Sequence, residues 1–279
     1  GGDGDDTFAD AGTGTDNIDG GAGNDTFTVA SYASLTSTDT IVGGDGTDTL
    51  TIGDAGSVNL TTDITQLQNV SGVEVIAFSG VNGGDTVTIN DGVVSTTGGA
   101  LTLKFVTGAS GANTIDASAV LSTASSVSFT DLAGLGTTYS IGNGKDNVSM
   151  GDGADTITVS NNAYLSSVDT LAGGTGSDTL SFTNDTAATN TITAAQLTNV
   201  TGLETFSINH ATDTNLVNYV FTLSDTIVGN QVAVGSTFTI TRDAAEDGTL
   251  KVDGSSVTSS YVLALSGEDG KDTLIGGAG

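Results

Sequence analysis

Nine residues recur in a fixed pattern. Gly20-Gly21-Ala22-Gly23-Asn24-Asp25-Thr26-Phe27-Thr28 and Gly43-Gly44-Asp45-Gly46-Thr47-Asp48-Thr49-Leu50-Thr51 both read GGxGxDxUx, where U is a large apolar residue. Each unit offers one glycine-rich turn and one very short strand. That is too little to bury an apolar face alone, so units have to stack on one another and share a thin, elongated core.

The pattern also runs through other parts of the chain. Gly1 to Ala9 (GGDGDDTFA) is complete, and Ala11 to Asp19 (AGTGTDNID) lacks the first Gly. Ser34 to Val42 keeps only Asp39 and Ile41. From Ile141 the chain repeats itself without a gap at an offset of about 130 residues: IGNGKDNVS, MGDGADTIT and GGTGSDTLS reproduce the units at Ala11, Gly20 and Gly43. Asp16, Asp25, Asp39 and Asp48 thereby match Asp146, Asp155, Asp169 and Asp178. Further on, NVSGVE at Asn69 to Glu74 matches NVTGLE at Asn199 to Glu204. A last unit, GEDGKDTLI at Gly267 to Ile275, carries Glu268 where the second Gly belongs.

Between these units, Thr86 to Ile89, Leu101 to Val106, Ser126 to Phe129 and Thr137 to Ile141 alternate like strands. Tyr219 to Leu223, Thr237 to Thr241, Leu250 to Val252 and Tyr261 to Leu265 do the same in the second copy. Asp63-x-x-Gln66 has the spacing of a capping box, which predicts a short helix near Leu67 and its counterpart near Leu197.

Composition narrows the function. The formal charge is −28, with Lys104, Lys145, Arg242, Lys251 and Lys271 the only Lys and Arg residues. Nucleic acid is thereby a poor partner, because binding it starts with neutralising phosphates. All 33 acidic residues except Glu74, Glu204, Glu246 and Glu268 are Asp, a short hard-oxygen ligand that sits readily in glycine turns. There is no Cys, so neither a disulfide nor a thiolate metal site is expected. No long apolar run or charged-then-apolar leader is evident, so neither membrane insertion nor a signal peptide is expected. The ends fall in mid-repeat and read as those of an excised segment.

These nonapeptides resemble the RTX (hemolysin-type) calcium-binding repeats, and the two long copies are most similar to surface-layer proteins of that kind. The resemblance implies that two nonapeptides make one coil of a β-roll, with turns alternating between two edges. Asp6, Asp25 and Asp48 would then stack on one edge, and Asp16 and Asp39 on the other. Gly at positions one, two and four lets the turn visit positive φ and aim carbonyls at a shared centre. Asp at position six adds a carboxylate, and calcium takes six to eight such oxygens. Candidate ligands are Gly2, Asp3, Gly4 and Asp6; Gly21, Gly23 and Asp25; and Gly44, Asp45, Gly46 and Asp48. The second copy adds Asp146; Gly151, Asp152, Gly153 and Asp155; Gly174, Gly176 and Asp178; and Asp269 with Asp272. Several calcium ions are expected.

Simpler readings apply elsewhere. For Asp39, Asp169 and the decayed units at Gly80 and Gly108, turn chemistry without an ion is expected, and Asp85 and Asp146 fall between the two cases. His210, the only histidine, is expected in an exposed loop. Paired threonines such as Thr26 and Thr28 suit the outer face of any strand better than an ice-binding face. No HExxH, GxSxG or GK[ST] pattern supports catalysis or phosphate binding, so no enzyme is expected.

The expected fold is all-β: a right-handed parallel β-solenoid with β-roll sections joined by less regular coils, forming one continuous rod. Its first copy is 1–140 (β-roll 1–51) and its second 141–266 (β-roll 141–181), with a further section starting at 267–279. The expected function is a calcium-dependent extracellular structural subunit of a bacterial surface layer or filament. It would associate with copies of itself, laterally or head to tail, with cell-surface polysaccharide as a second partner and type I secretion as the route. The alternatives are a calcium-stiffened stalk of a large adhesin, or a secretion-linked block of a toxin or exoenzyme.

Overall fold

A computed structural model describes residues 1–9, 14–53, 58–59, 66–79, 84–105, 111–131, 134, 136–184, 189–209, 217–242 and 248–278. The side chains of residues 58 and 59 are not among those described. The chain divides into two compact units, Gly1–Asp152 and Gly153–Gly279, each a β-solenoid of parallel strands.

In the first unit the strands Thr7–Ala9, Thr26–Val29, Thr49–Ile52, Val75–Phe78, Ala100–Phe105, Ser126–Thr130 and Lys145–Ser149 pair in that order, all parallel. A second ladder joins Asn17–Ala22, Thr40–Asp45 and Val70–Ser71. A third joins Val58–Asn59, Thr86–Asn90, Thr114–Ala119 and Thr138–Ser140. The second unit repeats the scheme. Thr156–Val159, Thr179–Phe182, Thr205–Ile208, Thr237–Arg242 and Val262–Ser266 form one ladder. Thr189–Ile192, Asn218–Ser224, Leu250–Ser256 and Thr273–Ile275 form another, and Thr170–Ala172 pairs with Val200–Thr201.

The apolar eighth position of the repeat explains the register. Phe8 faces Phe27, Phe27 faces Leu50 and Leu50 faces Ile76, each pointing inward while the threonines beside them form outer rows. Slipping a strand by one residue would turn every one of these side chains out of the core. Phe8 and Phe27 stack with ring centroids 5.1 Å apart. Further along, Phe78, Phe105, Phe129 and Tyr139 continue as a contiguous aromatic column. In the second unit Phe182, Phe206, Phe221 and Phe238 do the same. Burying one such ring contributes about 1.5–3 kcal/mol, so a thin core suffices when it is repeated in every coil.

Coil length is not constant. Successive position-six residues on the first edge lie 19, 23 and 26 residues apart, and those of the second unit 23 and 26 apart. Two bare nonapeptides therefore do not fill a coil; the surplus lies in connections such as the 3₁₀ turn Tyr32–Ser34.

The helices differ from the sequence expectation. Around Leu197 the chain forms successive turns, with the N–H groups of Gln196 and Leu197 donating to the carbonyls of Thr193 and Ala194. The capping-box pair is present there as Thr193 N–H to Gln196 Oε1, 2.9 Å, but no helix follows. In the first copy, residues 60–65 of that expectation lie outside the described residues, and Leu67 to Asn69 form a turn. The helices are instead α1, Asp91–Thr96, capped by Asn90 Oδ1 on Val93 N–H, and α2, Asp225–Gln231, capped by Ser224 Oγ on Ile227 N–H. Each continues directly from a strand, so an unbroken apolar alternation hid its start. Among the described residues no helix is long and apolar enough to cross a membrane.

Candidate metal centre

The first four strands of the first ladder, at Thr7, Thr26, Thr49 and Val75, are each entered from a turn that ends in an acid, so strand stacking stacks the acids. The Asp6 N–H donates to Asp25 Oδ1 at 2.7 Å, the Asp25 N–H to Asp48 Oδ1 at 2.7 Å, and the Asp48 N–H to Glu74 Oε2 at 3.0 Å. In the second unit the Asp155 N–H donates to Asp178 Oδ1 at 2.9 Å and the Asp178 N–H to Glu204 Oε2 at 2.8 Å. Asp25, Asp48, Glu74, Asp178 and Glu204 thus each hold the backbone of the coil before with one oxygen.

The other oxygen is the informative one. Oδ2 of Asp25, of Asp48 and of Asp178 is buried without a hydrogen-bond partner. A buried carboxylate oxygen left unpaired is costly, on the order of 1–3 kcal/mol or more for a charged group. Glycine keeps the space beside it open. A Cβ at Gly20 would overlap both Asp25 Oδ2 and the Gly43 carbonyl oxygen; one at Gly43 would overlap Asp48 Oδ2 and the Gly72 carbonyl; one at Gly173 would overlap Asp178 Oδ2 and the Gly202 carbonyl. Gly44 and Gly46 sit at φ +115° and +137°, and a Cβ on either would strike the carbonyl oxygens of Gly21 and Gly23 in the coil before. The turns therefore place anionic and carbonyl oxygens around glycine-sized spaces, a donor set that fits a hard cation such as calcium. Among the described residues no three His, Cys, Asp or Glu side chains converge, so any ion here would rely on backbone oxygens beside one or two carboxylates.

Electrostatics agree with that geometry. Burial holds Asp48 above the usual carboxylate range despite the Asp25 N–H, and the charges of Glu74 and Asp25 push the same way. Burial likewise raises Asp178 against the Asp155 N–H, with Glu204 adding to it.

The opposite edge is satisfied differently. Asp39 accepts the Asp16 N–H on Oδ1 at 3.0 Å, and the Thr36 N–H and Oγ1 on Oδ2 at 2.6 and 3.1 Å. Burial alone would raise its pKa, yet these hydrogen bonds outweigh it and hold Asp39 below the usual range. Asp169 Oδ2 accepts the Ser166 N–H and Oγ at 2.7 and 3.0 Å.

Other sequence candidates occupy varied places. Asp6 Oδ2 accepts the Gly2 N–H at 3.0 Å. Asp3, Asp45, Asp152 and Asp269 are exposed, Gly4 has φ +107°, and Gly151 and Gly153 are half-buried. Gly174 and Gly176 keep the positive φ of their counterparts Gly44 and Gly46. Asp272 accepts the Leu250 N–H on Oδ1 at 2.7 Å, and a Cβ at Gly267 would strike its Oδ2. Asp146 departs from the pattern. It lies within a strand, facing inward opposite Val127, and accepts from the Tyr139 hydroxyl at 2.7 Å and the Gly142 N–H at 3.2 Å, so both oxygens are already used by the protein. Asp85 donates its N–H to Asn113 Oδ1 at 3.2 Å, so an amide stands in for the carboxylate of the ladder. His210, Gly80 and Gly108 lie outside the described residues.

Two ladder members went unread in the sequence: Glu74 and Glu204. The repeated NVSGVE and NVTGLE segments were the available signal. A second, outer ladder was also missed, in which the Asn24 N–H donates to Asp5 Oδ1 at 2.7 Å and the Thr47 N–H to Asn24 Oδ1 at 2.9 Å. No family model, no curated protein and no solved structure matches the chain.

Proposed function

We propose that the chain is a calcium-dependent extracellular structural protein, a subunit of a bacterial surface layer or filament whose coils set only when calcium fills the acidic edge. The observation that carries the calcium reading is the set of buried, unpartnered Oδ2 atoms of Asp25, Asp48 and Asp178, each beside a glycine carbonyl. Those oxygens, with the carbonyls of Gly43, Gly72 and Gly202, would hold the ions. Bound calcium supplies the positive charge that the stacked carboxylates lack. Each ion at about ten times its dissociation constant adds roughly 1.4 kcal/mol, so several together rival the whole stability of a domain.

The structural role is supported by repetition. Threonine rows on outer strand faces, a duplicated solenoid unit and a charge of −28 suit a self-associating, ion-bridged assembly better than a pocket-based activity. The RTX resemblance supports export to the cell surface and the use of external calcium. Electron microscopy of the purified protein with and without calcium tests this. Ordered sheets or fibres in calcium alone are expected, and dispersed monomers under both conditions would remove the assembly role.

A further inference from the structure

The NVSGVE and NVTGLE segments stand out because a β-roll turn should not look like them. Register shows what they replace. Val42 pairs with Ser71 and Thr49 with Val75, so the six-residue turn Gly43 to Asp48 is stacked on a three-residue turn, Gly72 to Glu74. In the second unit Ala172 pairs with Thr201 and Thr179 with Thr205, so Gly173 to Asp178 is stacked on Gly202 to Glu204 in the same way. The short turn cuts the corner, and the extra methylene of Glu over Asp still brings Oε2 to the Asp48 or Asp178 N–H.

The remaining residues of the segment are also used identically in both copies. Asn69 Nδ2 donates to the Ser37 carbonyl at 3.0 Å and Asn199 Nδ2 to the Ser167 carbonyl at 3.0 Å, tying down the opposite edge. Val70, Val73, Val200 and Leu203 are buried. Gly72 and Gly202 turn at φ +61° and +63°.

We infer that each Gly-x-Glu turn completes a terminal divalent-cation site, built from the Glu74 carboxylate, Asp48 Oδ2 and the Gly72 carbonyl, and repeated as Glu204, Asp178 Oδ2 and the Gly202 carbonyl. Asp48 and Asp178 are 0% and 1% exposed, and in each Oδ2 has no partner. The Cβ positions of Gly43 and Gly173 show that this oxygen and the facing carbonyl border one space. Glu74 and Glu204 each commit one oxygen, Oε2, to the ladder, which leaves Oε1 to complete an all-oxygen set of the kind calcium takes. The site has two carboxylates on successive coils. It also closes the ladder, because a three-residue turn lacks the second and fourth glycines that would present carbonyls to a further ion. This inference rests on the calcium reading above and deepens it at two of its three sites, adding to each a glutamate carboxylate that the nonapeptide pattern does not count.

The test is calcium binding to the full chain by equilibrium dialysis against calcium chloride, with the calcium dependence of folding followed by circular dichroism. Glu74→Gln with Glu204→Gln keeps an acceptor for the Asp48 and Asp178 N–H but removes the charge. Glu74→Asp with Glu204→Asp keeps the charge and shortens the reach. The Gln pair is expected to fold at high calcium while losing two ions, or binding two of them at least ten-fold more weakly. The Asp pair should retain those ions better than the Gln pair. An unchanged ion count and affinity in the Gln pair, with wild-type binding intact, would overturn the glutamates as ligands and leave the aspartate–carbonyl sites standing. If the Gln pair stays unfolded at saturating calcium, the Asp pair decides: retention of the two ions supports the sites and their loss overturns them. An Asp pair that fails where the Gln pair does not would make the Glu a hydrogen-bonding cap only. No calcium bound by the wild type would overturn both readings at once.

Discussion

The two edges of the first unit use the same residue, aspartate before a short strand, and treat it in opposite ways. On one edge Asp25 and Asp48 satisfy one oxygen through the previous coil and leave the other buried and bare. On the other, Asp39 has both oxygens engaged by Asp16 and Thr36. The sequence difference is small: glycine at positions one, two and four on the first edge, and Ser or Thr three residues before the Asp on the second. Thr36-x-x-Asp39 and Ser166-x-x-Asp169 close on themselves through a hydroxyl and an N–H. In the first unit the place three residues before Asp25 and Asp48 is held by Ala22 and Asp45, which have no hydroxyl to give; Thr175 holds it before Asp178, and there too Oδ2 is left without a hydrogen-bond partner. One edge is self-sufficient, and the other keeps buried carboxylate oxygens unpaired, where the proposed cations would sit.

That contrast is broken or sharpened most strongly by exchanging charge for amide on each edge. Asp48→Asn with Asp178→Asn should lower stability in saturating calcium by about 3 kcal/mol, the linkage of two ions each at about ten times its dissociation constant. In calcium-free buffer the sign should invert, because an amide carries no charge to desolvate and can donate to the facing carbonyl. Asp39→Asn should cost about 1.5–3 kcal/mol through its lost charge-assisted hydrogen bonds, equally with and without calcium. Chemical denaturation of each variant under both conditions gives the comparison, and a calcium-independent loss at Asp48 would erase the distinction between edges.

Acidification separates the edges more weakly, since they oppose each other. Asp48 and Asp178 have raised folded values, so what they contribute is fully present below the ordinary carboxylate value of about 4 and lost as pH rises through their folded values. Asp39 has a lowered folded value, so its contribution is present above the ordinary value and lost as pH falls through the folded one. In calcium-free buffer, lowering the pH from neutrality through the raised folded values of Asp48 and Asp178 should therefore increase strand signal, and further acidification through the lowered value of Asp39 should reverse it. Strand signal that only falls from neutrality downward would contradict the raised values.

Smaller effects follow from single donors and backbone. Thr36→Ala and Ser166→Ala each remove one hydroxyl from the self-sufficient edge and should cost about 1 kcal/mol, with no change in calcium affinity. Glu268 occupies the second-glycine position of the last unit at φ +53°, the only left-handed non-glycine among the described residues. Glu268→Gly should raise the melting point modestly, by relieving about 1 kcal/mol of left-handed backbone cost.

Much of the fold is readable because the repeat carries its own register. The apolar eighth position alone aligns Phe8, Phe27 and Leu50, and the repeated spacing places Asp25 and Asp48 on one edge and Asp39 on the other. Two features are not readable, for distinct physical reasons. Helices α1 and α2 grow out of strands whose alternation runs straight into them, while the capping-box spacing at Thr193 and Gln196 is spent on a tight turn. Glu74 and Glu204 escape because nonapeptide logic looks for Asp after four or five turn residues. A three-residue turn with a longer acid does the same work only once the neighbouring coil is in place. Asp146 shows the converse: it fits the pattern, yet a buried tyrosine hydroxyl and a backbone N–H claim it.

The most direct measurement is the far-ultraviolet circular dichroism of the purified chain, taken through a cycle of calcium, EDTA and calcium again. Loss of the strand signal in EDTA and its return over a narrow range near millimolar calcium is the result expected from bare carboxylates on a stacked edge. A strand signal that is the same with and without EDTA would contradict it, because the acidic ladder would then stand without a cation.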